Sequence, residues 1–372
     1  MLYYILRGET MNKRKISLMM VLVLLFSILS SCKPKVRTKF SFNYFDSFDT
    51  LVKATGYFYS QGEADDFDKK LSKKLKYYDH LFDCHKEHEG INNVYTINKM
   101  AGKEKVKVDK ALINLISQSK TLGLKYDSDV NIAFGAIIEL WEKSMTEALE
   151  NDELKAAIPD MNELKERTKY ASLNNIIIDK EENTVYISDE RTKLNLGAVA
   201  KGYAVELICN ELKEDGFDSV VISAGGNVKT IGHPNGETDR KWTIGVENPY
   251  SASEMKEGDS EIYDILYTMD KAIVTSGDYQ RYFYGLDNVK YNHIIDTRTL
   301  SSARNFRAVT VITKDSGIAD FLSTLLFTLT YEEGVEVLKD FPDTEALWIN
   351  FDNTEFYTDG LKHYSKALGA TK

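Results

Sequence analysis

The chain has 372 residues, 43% of them hydrophobic, and a formal net charge of −10 at neutral pH. That length allows one large domain or two smaller ones around a sizeable core. The negative charge argues against binding of nucleic acid, which depends on basic surfaces. The 3 cysteines are scattered, so the sequence encodes neither a disulfide-rich scaffold nor a zinc finger.

The N-terminal segment has the pattern of a bacterial secretory signal. The basic cluster Lys13-Arg14-Lys15 precedes an apolar run over residues 16–29 and the small pair Ser30-Ser31. The apolar run is shorter than the roughly 20 residues of a membrane-spanning helix, which favours a signal peptide. Residues 29–32 also resemble a lipobox, in which the cysteine, here Cys32, is lipidated and becomes the mature N-terminus.

This pattern predicts a signal peptide over residues 1–31, with Met11 as an alternative start, and a lipidated tether over residues 32–41. The mature protein is then expected outside the cytoplasm of a bacterium, anchored to the cell membrane by acyl chains such as palmitate. An uncleaved N-terminal anchor is the alternative interpretation of the same residues.

Apolar residues recur every three or four positions in six segments, which predicts helices. These segments are residues 65–83, 110–126, 131–145, 201–214, 316–329 and 331–339. Residues 91–100 are expected to form a loop or a short helix. Residues 151–169 are polar and charged, which indicates a surface excursion.

Runs of aromatic and β-branched residues predict strands. The segment 42–60 is strand-like, with Gly56 as a bulge or bend. Further strands are predicted at residues 176–178, 184–187, 219–222, 242–246, 262–269, 272–275, 292–296, 308–312, 347–350 and 355–357, with a polar connection at 247–259. Consecutive strands with segregated helices favour an α+β fold over a regular βαβ array.

Two glycine-containing segments lie on either side of the predicted helix 201–214. They are Asn195-Leu-Gly-Ala-Val-Ala-Lys-Gly-Tyr-Ala204 and Ser223-Ala-Gly-Gly-Asn227. Glycines let a backbone approach a ligand closely, and a helix N-terminus offers free N–H groups. The arrangement suits a phosphate or pyrophosphate. It lacks both the Gly-x-Gly-x-x-Gly pattern and a Walker lysine-serine ending, which excludes the two standard nucleotide loops.

Asp320 and Thr324 are candidate metal ligands. They stand four residues apart in the predicted helix 316–329, so they share one helix face. A carboxylate and a hydroxyl are hard oxygen ligands suited to Mg²⁺, with water and substrate phosphates completing the shell. An aspartate buried alone in so apolar a helix would be costly. A local cap or ion pair is the alternative role of Asp320.

Three further features could carry chemistry. His293, in Tyr291-Asn-His-Ile-Ile-Asp296, could act as a general base toward a hydroxyl nucleophile, with a structural role as the alternative. The hydroxyls of Thr275-Ser-Gly-Asp-Tyr279 could line a pocket or cap the following segment. Cys84 is either a reactive thiol or, as we favour, a packing residue.

Together these segments resemble the ApbE family, the FAD:protein FMN transferases. The resemblance rests on five motifs in order: Asn195–Ala204, Ala224-Gly-Gly-Asn227, Thr275–Tyr279, His293-Ile-Ile-Asp296 and Ala319-Asp-Phe-Leu-Ser-Thr324. It covers about residues 42–360. It implies an α+β, T-fold-like domain over residues 42–365, in which mixed sheets and packed helices form two intertwined subdomains.

The resemblance implies an activity and a set of site residues. The family transfers the FMN half of FAD to a threonine or serine hydroxyl of a target protein, releasing AMP, and requires Mg²⁺. By resemblance, His293 deprotonates the acceptor hydroxyl. The implied metal ligands are Asp320, Thr324 and the carbonyl of Ala198, with Ser323 contributing, and the implied FAD contacts are Phe48, His85, Trp141, Asn195, Lys201 and Ile295. Family acceptors are Nqr- or Rnf-type subunits and secreted flavoproteins.

The sequence departs from the family pattern at several positions. Asn195 replaces an aspartate, and His85 replaces a tyrosine. The loop Asp296-Thr-Arg-Thr-Leu300 lacks the usual proline and glycine and is expected to differ in shape. Two alternatives to transfer stay open, the first because the same site could use water as the acceptor and the second because of these departures. One is hydrolysis of FAD to FMN and AMP, and the other is a flavin-binding lipoprotein without activity.

Overall fold

The computed structural model describes residues 36–127, 129–250, 260–352 and 354–372. Cys32, Met11 and the predicted signal peptide lie outside the described residues. The strands are β1 Thr38–Ser47, β2 Thr50–Phe58, β3 Val106–Lys107, β4 Lys155–Ala156, β5 Ile176–Asp179, β6 Thr184–Ile187, β7 Ser219–Ala224, β8 Asn227–Gly232, β9 Trp242–Glu247, β10 Ile262–Thr268, β11 Ala272–Gly277, β12 Tyr282–Gly285, β13 Lys290–Asn292, β14 Ile295–Asp296, β15 Ser301–Ser302, β16 Ala308–Thr313, β17 Glu345–Ile349 and β18 Glu355–Tyr357. The α-helices are α1 Gln61–Phe82, α2 Val94–Lys99, α3 Lys110–Lys125, α4 Gly135–Leu149, α5 Met161–Thr168, α6 Ala200–Glu214, α7 Ser316–Thr328 and α8 Tyr331–Leu338.

An eight-stranded sheet forms the centre of the fold. Its strands follow the order β1-β2-β7-β8-β11-β16-β17-β18, and every neighbouring pair is antiparallel. Side chains alternate between the two faces of a strand, so Val52, Ala54 and Phe58 of β2 are buried whereas Lys53 is exposed. This antiparallel sheet with its packed helices confirms the predicted α+β class.

The helix α7 lies in the interior. It packs against α6, β11 and β16, and 11 of its 13 residues are buried. A helix that is apolar on nearly all sides is stable only when it is surrounded by protein. The same burial carries the polar residues Asp320 and Thr324 into the middle of the molecule.

Two smaller hydrophobic clusters complete the fold. One is built by α4, α5, β12 and β13, where the rings of Trp141, Phe283 and Tyr291 have centroids 5.5 to 6.3 Å apart. The other lies on the second face of the large sheet, beneath the β9–β10 hairpin, and includes Trp242 and Leu266. The first of these clusters borders the candidate site.

All six predicted helices are present, with ends shifted by a few residues. The helix α1 begins at Gln61 because the Ser60 hydroxyl accepts the Glu63 N–H as an N-cap. The helix α4 begins at Gly135 rather than residue 131, because the Asn131 side chain accepts the Ala133 N–H and holds the preceding turn. Within the described residues, no helix is long and apolar enough to cross a membrane.

The strand-like segment 42–60 contains the turn and most of the residues of a β-hairpin, which the sequence did not predict. Phe48 and Asp49 form its two-residue turn with φ of 57° and 48°, the backbone conformation of a type I′ hairpin turn. The predicted bulge at Gly56 is wrong, because Gly56 pairs regularly and the irregularity lies between Tyr44 and Ser47. The hairpin also extends into the predicted tether, since β1 begins at Thr38.

Three other local predictions are corrected by the structure. The polar segment 151–169, predicted as a surface excursion, contains the helix α5. Its charged residues hide the apolar periodicity of a helix, but Leu164 is fully buried. The strand predicted at 292–296 breaks at His293, between β13 and β14. The strand β8, which follows the Gly225-Gly226 turn, was not predicted. Part of the polar connection 247–259, residues 251–259, lies outside the described residues.

Candidate active site

A cavity of about 730 Å³ opens where the large sheet meets the cluster around α4. It is lined by the β1–β2 turn, α4, the segment 195–201, the β7–β8 turn, residues 275–297 and α7. Nine of the residues implied by the family resemblance line it: Phe48, Trp141, Asn195, Ala198, Lys201, His293, Ile295, Asp320 and Thr324. Segments far apart in sequence therefore meet around one cavity.

Asp320 occupies the junction between α6 and α7. Its side chain is 5% exposed, and its Oδ2 accepts the Gly202 N–H at 2.8 Å. Gly202 lies in the first turn of α6, whose N-cap residue provides no side-chain cap, so the carboxylate serves one of the free N–H groups there. Burial raises the pKa of Asp320, opposed by the positive charge of Lys201 and by the bonds from Gly202 and Asn227.

This close contact between two helices depends on Gly202. A Cβ atom at that position would lie 2.2 Å from the Ser316 carbonyl oxygen and 2.4 Å from the Asp320 Cβ. Neither atom belongs to a flexible side-chain end that can move aside. The glycine therefore sets the distance at which α6 and α7 bring Lys201 and Asp320 to the same cavity.

The first testable prediction follows from this contact. Gly202→Ala is expected to lower the free energy of unfolding by about 2–3 kcal/mol or more, because the new methyl group forces the helices apart. Gly62→Ala is the matched control, since Gly62 also lies in the first turn of a helix but a Cβ there meets only the Ser60 hydroxyl at 4.0 Å. Chemical denaturation of both variants measures the difference. Equal stability of the two variants would contradict the packing argument.

Asn227 leaves one oxygen without a partner next to Asp320. Its side chain is 1% exposed, and its Nδ2 lies 3.4 Å from Asp320 Oδ1. Its Oδ1 is buried and finds no hydrogen-bond partner in the part of the chain that the structure describes. A buried acceptor left unpaired costs about 1–3 kcal/mol. An orphaned oxygen beside a buried carboxylate fits the chemistry of a hard cation such as Mg²⁺.

The segment before α6 is held by its own side chains. Asn195 Oδ1 accepts the Gly197 N–H at 2.8 Å, and the Asn195 N–H donates to the Ile132 carbonyl at 3.0 Å. This turn brings Ala198 and then Lys201 to the cavity wall. Lys201 forms no ion pair with the described residues, so its charge is available to an anionic ligand.

His293 is fixed with one ring nitrogen available. Its main-chain N–H donates to the Arg281 carbonyl at 3.1 Å, and its Nδ1 lies 3.2 Å from the same oxygen. Because a carbonyl only accepts, Nδ1 carries the hydrogen and Nε2 keeps a lone pair. The neighbouring Asn292 is buried and bonds to the Ala303 carbonyl and the Ile294 N–H, which holds the loop in place.

A second prediction concerns the charge of His293. Burial, together with the positive charges of Lys201 and Arg281, lowers the pKa of His293 to about 4. The imidazole is therefore neutral from pH 5 upward, and it takes up a proton only as the pH falls toward 4. An NMR titration of the ligand-free protein should show this ring titrating well below its ordinary value near 6.5, with His293→Gln identifying the signal. An ordinary midpoint would contradict the effect of desolvation and of the Lys201 and Arg281 charges on this ring.

Two residues near the cavity have a left-handed backbone conformation, and one of them lines the cavity. Phe48 lines it from the β1–β2 turn, and its N–H donates to Asp79 Oδ1 at 2.7 Å, which stabilises the left-handed conformation. Leu300, at the position where the family usually has glycine, adopts φ 60° and is buried. Its carbonyl accepts the Trp141 indole N–H at 3.2 Å. The altered loop thus keeps a left-handed residue in spite of the lost glycine.

Ser323 and His85 are not among the residues that line the cavity. Ser323 is fully buried, donates to the Asp320 carbonyl and accepts from the Ser276 hydroxyl. His85 is exposed, although it is close enough to Glu142 for its charge to lower that carboxyl's pKa. Burial raises the pKa of the adjacent Cys84 to about 12, so the thiol stays protonated, consistent with packing.

Sequence reasoning missed several cavity residues. Arg281 follows the Thr275–Tyr279 motif and lines the cavity without an ion pair to the described residues. Glu142 directly follows Trp141 on α4 and also lines the cavity. The helical spacing of Ile138, Trp141 and Met145 would have identified that face of α4. Thr275 and Ser276 also line the cavity, but their hydroxyls bond to the hydroxyls of Thr310 and Ser323.

Comparison with known proteins places this chain among relatives with one described activity. The family model for the ApbE family matches residues 48–348. The FAD:protein FMN transferase of Klebsiella pneumoniae is 29% identical over 292 residues, covering 78% of this chain and 84% of the relative. That of Treponema pallidum is 29% identical and covers 74% and 75%. The crystal structure of the ApbE protein of Thermotoga maritima has a TM-score of 0.74 at 26% identity, covering 87% of this chain and 98% of that one.

Proposed function

Because the chain belongs to the ApbE family, we propose that it is an FAD:protein FMN transferase. In the reaction, the hydroxyl oxygen of a serine or threonine on a target protein attacks the FMN-side phosphorus of FAD. The phosphorus–oxygen bond to the AMP half breaks, AMP leaves, and the hydroxyl proton passes to a base. The observation that carries the proposal is the convergence of Asp320, Lys201 and His293 on one cavity.

A divalent cation, Mg²⁺ by resemblance, fits the oxygen atoms around Asp320. We propose that the Asp320 carboxylate, the Thr324 hydroxyl and the Ala198 carbonyl would hold it, with the orphaned Oδ1 of Asn227 as a further oxygen of this chain. When bound, such an ion neutralises charge that develops on the pyrophosphate oxygens. Its presence would also offset the burial of the Asp320 charge.

Two positively charged side chains of the cavity are assigned to binding the pyrophosphate. Lys201 and Arg281 both line the cavity, and both lie close enough to His293 for their charges to lower its pKa. Transfer of a phosphoryl group needs alignment and charge neutralisation more than covalent help. We assign Lys201 and Arg281 to holding the phosphates beside His293.

His293 receives the proton of the acceptor hydroxyl. Its Nδ1–H donates to the Arg281 carbonyl, so Nε2 keeps the lone pair that accepts the proton. At neutral pH the ring is neutral and able to accept a proton. The negative charge of a bound pyrophosphate would raise the pKa of His293 and so make it a stronger base.

Transfer is tested by incubating the purified protein with FAD, Mg²⁺ and a candidate acceptor. We expect in-gel flavin fluorescence on the acceptor and one AMP released per flavin attached. AMP release without acceptor would identify the hydrolase instead. An absence of both, with an ApbE relative labelling the same acceptor in parallel, would leave a flavin-binding lipoprotein and refute the proposed activity.

We further propose that the mature protein is lipidated at Cys32 and acts outside the cytoplasm, on an Nqr- or Rnf-type subunit or a secreted flavoprotein. The signal-like N-terminal pattern and the lipobox resemblance support this location. Metabolic labelling with a palmitate analogue should mark the wild-type chain and not Cys32→Ala. Equal labelling of the two chains, or no labelling of the wild-type chain, would contradict lipid anchoring through this residue.

A further inference from the structure

One wall of the cavity is a face of α4 that carries a carboxylate among apolar side chains. Ile138, Trp141, Glu142 and Met145 follow the spacing of a single helix face, and all four line the cavity. The Trp141 indole N–H is already used by the Leu300 carbonyl. This wall therefore offers a flat ligand apolar contact and the polar group of Glu142.

The Glu142 carboxylate is poorly satisfied by the protein. It accepts a hydrogen bond from Asn195 Nδ2 at 3.4 Å, and it forms no ion pair with any of the described residues. Burial raises its pKa, while the positive charges of His85 and Arg281 act in the opposite direction. A half-buried carboxylate with one long hydrogen bond has lost water without gaining full hydrogen bonding, which costs free energy. A hydrogen bond donated by a ligand would reduce that cost.

A phosphate is excluded as the partner of this carboxylate because two anions repel. The anionic part of a ligand belongs near Lys201, which acts on both His293 and Asp320. Glu142 must therefore meet a neutral donor at the edge of whatever ring lies on the apolar wall. Within FAD, such donors are the exocyclic amine of adenine and the imide N–H of the isoalloxazine.

We propose that Glu142 recognises FAD by accepting a hydrogen bond from the edge of one of these two rings, which lies against Ile138, Trp141 and Met145. This inference rests on the proposed function, since it takes FAD as the ligand. Asn195 is the positioning residue, because its Oδ1 is held by the Gly197 N–H and its Nδ2 faces Glu142. An aspartate at position 195 would instead set a second carboxylate against Glu142.

Binding of FAD, ADP and FMN to wild-type protein and to Glu142→Gln tests the assignment by calorimetry. We expect the variant to bind FAD about tenfold more weakly, because the neutral glutamine amide is a weaker acceptor than the carboxylate and half of it is an NH2 group that cannot accept. Only one half-ligand should weaken with it: ADP if the donor is adenine, FMN if it is the isoalloxazine. Glu139→Gln is the control, because Glu139 lies one turn away, pairs with Lys193 at 2.6 Å and does not line the cavity.

Binding of close analogues shows whether Glu142 recognises a ring donor directly or whether its substitution only changes the structure of the cavity. Wild-type protein should prefer ADP to IDP, or FMN to N3-methyl-FMN, and Glu142→Gln should show a clearly smaller preference, because its amide oxygen is a weaker acceptor. Unchanged binding of all ligands, or equal weakening of ADP and FMN with the preference intact, would overturn the proposal. Wild-type protein that binds FAD but transfers nothing would refute only the transferase activity, whereas full transfer with normal binding by Glu142→Gln would refute only this inference.

Discussion

Asp320→Asn is expected to lower kcat/KM for flavin transfer by about 10³-fold or more, because several kcal/mol of charge neutralisation depend on this carboxylate. The asparagine keeps the size of the side chain and an oxygen that accepts the Gly202 N–H. It removes the carboxylate that lies beside Asn227 and on the same helix face as Thr324 in the cavity. The measurement is the rate of acceptor labelling as a function of Mg²⁺ concentration.

The same variant should fold at least as well as wild-type protein. Burial raises the pKa of Asp320, so the charged form of this side chain is held at a cost in free energy. Replacing a buried charge by an amide of the same shape removes that cost, so thermal denaturation should give an equal or higher midpoint. Ser323→Ala, on the same turn of α7 but with its hydroxyl bonded to protein, should lower transfer far less. Labelling by Asp320→Asn at the wild-type rate would remove the carboxylate from the mechanism.

The regular elements could be predicted because each leaves a local signal. The period of apolar residues predicts α1, α3, α6 and α7 from the sequence, and their burial follows the same positions. The β1–β2 hairpin escaped prediction because its turn is Phe48-Asp49, whereas left-handed turns ordinarily use glycine or asparagine. That turn depends on the Asp79 carboxylate, 31 positions away, which holds the Phe48 N–H.

Some residues of the candidate site could likewise be predicted from the sequence, and others could not. Asp320 and Thr324 could be paired from their spacing on one helix, and His293 from its place in a motif. The sequence could not identify Arg281 and Glu142, because they become relevant only through a cavity that distant segments line together. It could not identify Asn227 either, because the relevant observation is that its buried oxygen has no hydrogen-bond partner among the described residues. The departure at Asn195 is interpretable only once its Nδ2 is seen to face Glu142.

His293→Gln is expected to lower the rate of flavin transfer by about 10²- to 10⁴-fold, the usual contribution of a general base. The affinity for FAD should change little, because Lys201 and Arg281 remain to hold the phosphates. Hydroxide must then remove the proton of the acceptor, so the logarithm of the variant's rate should rise by about one per pH unit. The wild-type rate should instead level off once the pH exceeds the pKa of His293 in the substrate complex. Single-turnover labelling across pH 6–9 measures this, with His363→Gln, a substitution of an exposed histidine outside the cavity lining, as the control. A variant with the wild-type rate and pH profile would show that His293 holds the loop and moves no proton.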